Sequence, residues 1–368
     1  MQNFLRSGDF LFGNPASLHS TGKESKKFIN QTSSFLFSTF GLSENTFDLI
    51  YHSGATEGIN SVFKGNALND FKAQKKSLFV FSSVDHQALI SLQEDLTILG
   101  HEVFLFDVDQ NGEFDEDKLI ENLRAKSVEF FNIYLNFTYV NNETGVVWPL
   151  DIALKIKQQT KAYVFVDAVQ LVGKIKDWDR LNAQLDGYFF SAHKFGALKG
   201  VGFTFINKAT PYHALITGGS QQQNKRAGTE NALGIYSIKL ALEDVIALEN
   251  FAELSAAKNI IEAAIVKCIS GRGEIIAEKA KHRNANTIFF VIYGEKAEIL
   301  SMKFDMQQMD VSTGSACSSG IIKENRVLLS MGYSKEDSRS AIRLSFSPFL
   351  KLSDTEFIIK QIASVIAR

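Results

Sequence analysis

The feature that most constrains this chain is an alternation. Short, nearly continuous apolar runs of strand length are separated by longer stretches with apolar residues at helical spacing. Residues 78–81 read as a strand, 88–99 as an amphipathic helix and 103–106 as a strand again. Residues 130–135, 162–166, 187–190 and 201–206 continue the strand series. A half-solvated strand alternates apolar with polar residues; these runs do not, so both of their faces must be covered. Such strands joined by helices imply a mostly parallel sheet in an α/β fold of the doubly wound kind. After about residue 230 the pattern changes. Residues 231–266 predict one long helix rich in Ala, Leu, Ile, Glu and Lys. Beyond it, 274–277, 286–293 and 341–346 predict strands, and 295–306, 325–331 and 354–367 predict helices. The expected organisation is a large α/β domain over 1–250 and a smaller α+β domain over 251–368, with the N-terminal segment packing on the smaller one.

Composition narrows the function classes. Lys plus Arg is 39 and Asp plus Glu is 41, a net charge of −2. Near neutrality argues against a nucleic-acid footprint, which needs a basic excess. Two cysteines, Cys268 and Cys317, exclude a disulfide framework and a four-cysteine zinc site. A hydrophobic share of 45% with 22% charged residues excludes disorder and coiled coil. The 31 phenylalanines read as core composition. The start, Met-Gln-Asn-Phe-Leu-Arg-Ser-Gly-Asp, has no basic region followed by an apolar run, so no secretory signal is expected. No run approaches the roughly 20 apolar residues of a membrane helix. The expected location is the cytoplasm.

Four segments carry candidate chemistry. In Ser191-Ala192-His193-Lys194 a strand ends and a lysine follows, before a glycine-containing turn. That lysine is either a Schiff-base nucleophile, which needs a partly desolvated amine, or an ordinary loop lysine. Asp167 ends an apolar strand, where α/β sheets bind ligands; it is either a ligand partner or a helix cap. In Ser53-Gly54-Ala55-Thr56-Glu57-Gly58 small residues lead into a helix start, whose N–H groups suit phosphate; the ending of a P-loop is missing. In Thr313-Gly314-Ser315-Ala316-Cys317-Ser318-Ser319-Gly320 the cysteine sits among small polar residues, which suits an exposed nucleophile better than a buried thiol. Cys268, in an apolar helical context, reads as structural. His86 alone fits a surface histidine, Asn141-Asn142 a turn and Arg226-Ala227-Gly228-Thr229 a loop. Arg343, inside an apolar strand, calls for a partner or ligand.

Taken in order, these segments resemble the class V, fold-type I pyridoxal phosphate enzymes, and most nearly the cysteine desulfurase family. The supporting strings are 12–19, 53–60, Asp85-His86-Gln87-Ala88, Asn141-Asn142-Glu143-Thr144-Gly145, 167–173, 191–194, Arg226-Ala227-Gly228-Thr229-Glu230-Asn231, 314–319 and Ala341-Ile342-Arg343-Leu344-Ser345. The Ser-Ala-Cys-Ser-Ser context is similar to the long-loop branch. The resemblance implies a mostly parallel, seven-stranded-type sheet, pyridoxal 5'-phosphate as cofactor and L-cysteine as substrate. It implies that Lys194 holds the cofactor and moves the Cα proton, and that Asp167 pairs with the pyridinium nitrogen. His86 would stack on the ring and assist proton transfer. Gln170 and Asn142 would face the phenolic oxygen, with Asn142 also near substrate. Ala55, Thr56, Ser191 and His193 would hold the phosphate, joined by Thr229 from the second subunit of a homodimer. Arg343 would clamp the substrate carboxylate, and Cys317 would take the sulfur as a persulfide for an acceptor protein. Iron–sulfur cluster assembly and tRNA thiolation are among the routes such sulfur serves. A selenocysteine lyase, another class V lyase or aminotransferase, and a non-catalytic family member are the alternatives. The sequence departs from the family in three places. The Asn-Ala-Ala-Thr-Thr-Pro-like segment expected before Gly13-Asn14-Pro15 is absent, Gly196-Ala197-Leu198 replaces a Tyr-Gly-Pro-like run, and 218–223 is less glycine-rich and less charged. These changes are expected to bear on activity and substrate choice more than on cofactor binding.

Overall fold

The computed structural model describes residues 13–313 and 324–367. Seven strands form one sheet: β1 (Phe47–His52), β2 (Leu78–Ser82), β3 (Glu102–Phe106), β4 (Ile133–Thr138), β5 (Ala162–Asp167), β6 (Gly187–Ser191) and β7 (Gly202–Asn207). Their order across the sheet is β1-β7-β6-β5-β4-β2-β3. The five strands from β6 to β3 run parallel, and β7 runs antiparallel to both of its neighbours. The expected mostly parallel sheet is therefore present. β1 was not anticipated; its Asp48 and His52 break the apolar run that marks the other strands.

Successive strand residues point to opposite faces, and both faces carry phenylalanine. On one face, Phe63 of the helix Ala55–Lys72 sits among Phe79, Phe81, Phe165 and Phe189, with ring centroids 5.3 to 6.3 Å away. On the other, Phe40 of the helix Ser20–Phe40 meets Phe190, Phe203 and Phe205 at 4.9 to 6.1 Å. All of these rings are buried. Each adds a large apolar area and an edge-to-face or tilted contact, which accounts for the phenylalanine excess.

A second, antiparallel sheet joins β8 (Gly273–Ile275), β9 (Thr287–Ile292), β10 (Ser312–Thr313) and β11 (Ala341–Ser345) in the order β10-β11-β9-β8. One face, with Ile288, Phe290, Ile342 and Leu344, packs under the helices Phe251–Ile269 and Thr355–Ile366. The other face, with Phe289, Val291 and Ala341, belongs to the same apolar core as the seven-stranded sheet. Burial on both faces explains why β9 is continuously apolar. It also aims Arg343: its direct partner across the ladder is Phe289, so its side chain faces the large sheet.

Two expected helices are broken. Residues 231–266 form Ala232–Leu248 and then Phe251–Ile269, with Glu249 between them at a left-handed φ of 42°. Helical propensity runs through the junction, but the first helix serves the core of the large sheet and the second that of the small one. The chain must turn between them, and tertiary packing overrides propensity. Likewise 88–99 divides at Ser91 into Gln87–Ile90 and Leu92–Ile98. The strand expected at 130–135 runs later, because polar Asn136 and Thr138 continue it while bonding to Asp85. Residues 1–12, expected to pack on the smaller domain, lie outside the described residues.

Candidate active site

The parallel strands β4, β5 and β6 end side by side at Thr138, Asp167 and Ser191, and the loop after β2 brings His86 to the same edge. These residues line a cavity of about 190 Å3 with Ala55, Thr56, Asn142, Gln170, His193 and Lys194. Nine of the ten residues expected around a cofactor are thus brought together. Thr229 is not among them; it is exposed on the loop after Arg226, away from this cavity. Cys317 lies outside the described residues.

Each side chain has a local reason for its place. Asp167 ends β5 and opens a turn, not a helix, which corrects the capping alternative: one carboxylate oxygen accepts from the Val169 amide at 3.0 Å. Among the described residues the other oxygen has no hydrogen-bond partner, and burial raises the pKa. Lys194 follows β6 in the short 3-10 turn Ala192–Phe195. Its amine makes no hydrogen bond or ion pair among the described residues, and its pKa is lowered by burial and then by Arg343. His86 caps the helix Gln87–Ile90, its Nδ1 accepting from the Ala88 amide at 3.1 Å. That bond leaves the proton of the neutral ring on Nε2; burial lowers the His86 pKa and favours the neutral form. Asn141 forms the expected turn, its Oδ1 accepting from the Glu143 and Thr144 amides at 3.0 Å, and this sets Asn142 at the cavity.

The wall opposite is the first turn of the helix Ala55–Lys72. The Ala55 amide donates to Ser191 Oγ at 3.1 Å. Helix N-terminal amides carry partial positive charge and attract phosphate or carboxylate. Gly58 allows the helix to lie close to the sheet, since a Cβ there would come within 2.6 Å of His52 Nε2 and Thr204 Oγ1. Glu57 is tied to Arg226, with Arg226 Nε donating to its Oε1 at 2.7 Å. Desolvation acts to raise the Glu57 pKa, but hydrogen bonds from Arg226 and Ser53 outweigh it and bring it down to about 2.

A larger cavity, about 520 Å3, adjoins the first and shares Asn142, Gln170, His193 and Lys194 with it. Arg343 enters it from β11. One guanidinium nitrogen donates to the Asn142 carbonyl at 2.9 Å, while its buried Nε has no hydrogen-bond partner among the described residues. Arg343 therefore sits where it can receive an anion beside Lys194. Cys268 lies half-buried on the helix Phe251–Ile269 against the small-sheet core, as expected of a structural cysteine.

The model for the family described as aminotransferase class-V matches residues 2–356. The cysteine desulfurase IscS of Dictyoglomus turgidum is 32% identical over 370 residues, covering 100% of this chain and 90% of that protein. This chain belongs to the cysteine desulfurase family of class-V aminotransferases. The IscS of Clostridium botulinum strain Hall is 29% identical over 96% of this chain and 87% of its own length. Two solved NifS-like proteins share the fold. One has a TM-score of 0.86 at 24% identity, covering 99% of this chain and 94% of that one. The other, from Rickettsia africae, has a TM-score of 0.85 at 25% identity with the same coverage.

Within this desulfurase-family chain, sequence reasoning missed the residues that hold the first rank in place. Asp85 is fully buried below His86 and accepts from the Ser82 amide at 3.0 Å, Asn136 at 3.0 Å and Thr138 Oγ1 at 2.6 Å. Burial still raises it to about 7. Arg326 donates to the carbonyls of Ser83 and Asp85, locking the loop that presents His86. Asn325 donates to Glu143 at 2.6 Å. Lys174 was also missed: it is 4% exposed, beside Gln170, and burial pushes it down to about 7. Only the Asp85-His86 and Asn142-Glu143 strings signalled any of these in advance.

Proposed function

We propose that this chain is a pyridoxal 5'-phosphate enzyme that converts L-cysteine to L-alanine and passes the sulfur, through Cys317, to an acceptor protein. The observation carrying the reading is that Lys194, an amine with a lowered pKa and no partner among the described residues, shares a small cavity with Asp167, a buried carboxylate with one oxygen unbonded among them. The cavity residues suit this cofactor. A buried carboxylate matches a protonated ring nitrogen, a free amine matches an aldehyde, and a helix N-terminus with hydroxyls matches a phosphate. When bound, the cofactor supplies an electron sink for the negative charge left at the substrate Cα.

The chain's own residues do the rest. Asp167 holds a proton at the ring nitrogen. Ala55, Thr56, Ser191 and His193 hold the phosphate, with Thr229 of a second copy, so the working unit is a homodimer. Gln170 and Asn142 face the phenolic oxygen. Arg343 binds the substrate carboxylate through its planar donor fork. Lys194 accepts the Cα proton at Nζ, because burial and the neighbouring Arg343 lower its pKa and favour the neutral amine. His86 donates and accepts at Nε2. Cys317 Sγ attacks the substrate sulfur; the new S–S bond forms as the Cβ–S bond breaks with its electron pair left on carbon, giving a Cys317 persulfide, and protons returned to Cβ and Cα give alanine.

Two described anchors flank the segment that contains Cys317. Ser312 pairs with Arg343 on one side, and Arg326 holds the His86 loop on the other. Thiol chemistry of this kind belongs in a reducing compartment, which supports a cytoplasmic location. No described helix is long and apolar enough to cross a membrane. The change of direction at Glu249 supports a division into large and small domains near residue 250.

The test is to supply cofactor-loaded protein with L-cysteine and a thiol reductant, then measure sulfide and alanine. Equal amounts are expected, and Cys317→Ala should abolish both. Loaded protein that yields neither, with or without an acceptor, would overturn the proposal.

A further inference from the structure

Lys174 is buried, yet among the described residues it has no acidic partner. Gly173, at φ +70°, turns the chain before it, and its backbone is fixed by the bond from the Ala285 amide to the Lys174 carbonyl at 2.8 Å. The charges that act on it are those of Lys194 and Arg343, both positive. A lysine placed there without an anion is costly unless it has a task. Among the described residues its one side-chain hydrogen bond is Nζ donating to Gln170 Oε1 at 2.5 Å. Gln170 itself reaches the small cavity.

We infer that Lys174 is a positioning residue that fixes the orientation of the Gln170 amide, so that Gln170 presents N–H donors, and not its carbonyl, to the cofactor cavity. The reason is the donor inventory. A glutamine amide has one acceptor end and one donor end, and either can point into a cavity. In its ammonium form, which prevails below about pH 7, Lys174 has three donors and no acceptor. With Nζ on one side, the oxygen must turn towards it, and the NH2 group is left for the cavity. A donor there stabilises an oxygen anion; a carbonyl would repel it. This inference rests on the reading that Gln170 faces the cofactor's phenolic oxygen.

The experiment is a pH titration of the bound cofactor's visible absorption in four holoenzymes: wild type, Lys174→Met, Gln170→Ala and the double variant. Gln170→Ala should raise the midpoint by about one pH unit, the size of one lost hydrogen bond to a charged group. Lys174→Met should raise it similarly, and the double variant should match Gln170→Ala. An unmoved midpoint in Gln170→Ala alone would remove the underlying reading and the inference with it. A shift in Gln170→Ala but none in Lys174→Met would overturn the inference and leave that reading intact. Additive shifts in the double variant would also overturn it, because Lys174 would then act by its charge and not through Gln170. Lys174→Arg keeps the donors and has room in the adjoining 520 Å3 cavity, so it serves where Met does not fold. It should titrate like wild type, and a midpoint as high as that of Gln170→Ala would overturn the inference.

Discussion

His52 is sealed beneath the first turn of the helix Ala55–Lys72, where its Nε2 meets Thr204 Oγ1 at 2.7 Å and its Nδ1 has no hydrogen-bond partner among the described residues. Burial lowers its pKa from 6.5 to about 4. Between those values the unfolded chain binds a proton that the folded one refuses, so stability rises with pH across the window and is lost as pH falls through it. A shift of that size corresponds to about 3 kcal/mol. Urea denaturation at pH 7 and pH 4.5 should show a loss approaching that figure in wild type, and His52→Asn should lose less. Equal pH dependence in the two proteins would show that His52 is not the group responsible. The same physics separates what could be read at single residues from what could not. Asp167 and Lys194 stand at strand ends, and strand ends are visible in a sequence. Lys174 looks like any surface lysine, because burial is a property of neighbours distant in the chain.

At the scale of elements, the break at Glu249 carries a measurable strain. Glu249 closes the helix Ala232–Leu248 in a left-handed conformation that costs a side chain but not a glycine. Its side chain is exposed, so Glu249→Gly removes no core contact. The substitution should stabilise the protein by about 0.5 to 1 kcal/mol, the left-handed penalty less the extra chain entropy of glycine. A lower denaturation midpoint would contradict this account of the junction. Periodicity found the strands of the large sheet because burial on both faces leaves an unbroken apolar run. It did not find β1, an edge strand with a mixed sequence, nor the two helix breaks. Local propensity is satisfied equally by one straight helix or two; the positions of the two cores choose between them.

For the whole molecule, the small sheet lends one face to each core, and this brings Arg343 to the strand ends that carry Asp167 and Lys194. Thr229 remains exposed, at the end of a loop held by the Glu57–Arg226 pair. In the proposed homodimer it completes the other subunit's phosphate site. Thr229→Ala and Lys194→Ala should each be impaired as pure dimers. Mixed dimers, formed by co-expression, should regain activity, since the subunit with intact Lys194 receives Thr229 from its partner. No recovery in isolated mixed dimers would place Thr229 outside the second subunit's site. By itself the sequence determined the α/β class and the covered parallel sheet, because face burial leaves a local pattern, and its ordered strings resembled the family closely enough to imply most of the cavity's lining. Only the tertiary structure decided that Lys174 is buried against Gln170, that Arg326 locks the His86 loop, that Thr229 stands apart and that the long helix turns. Each of these depends on a contact between segments far apart in the chain, and hydrophobic periodicity holds no record of which distant segment will arrive.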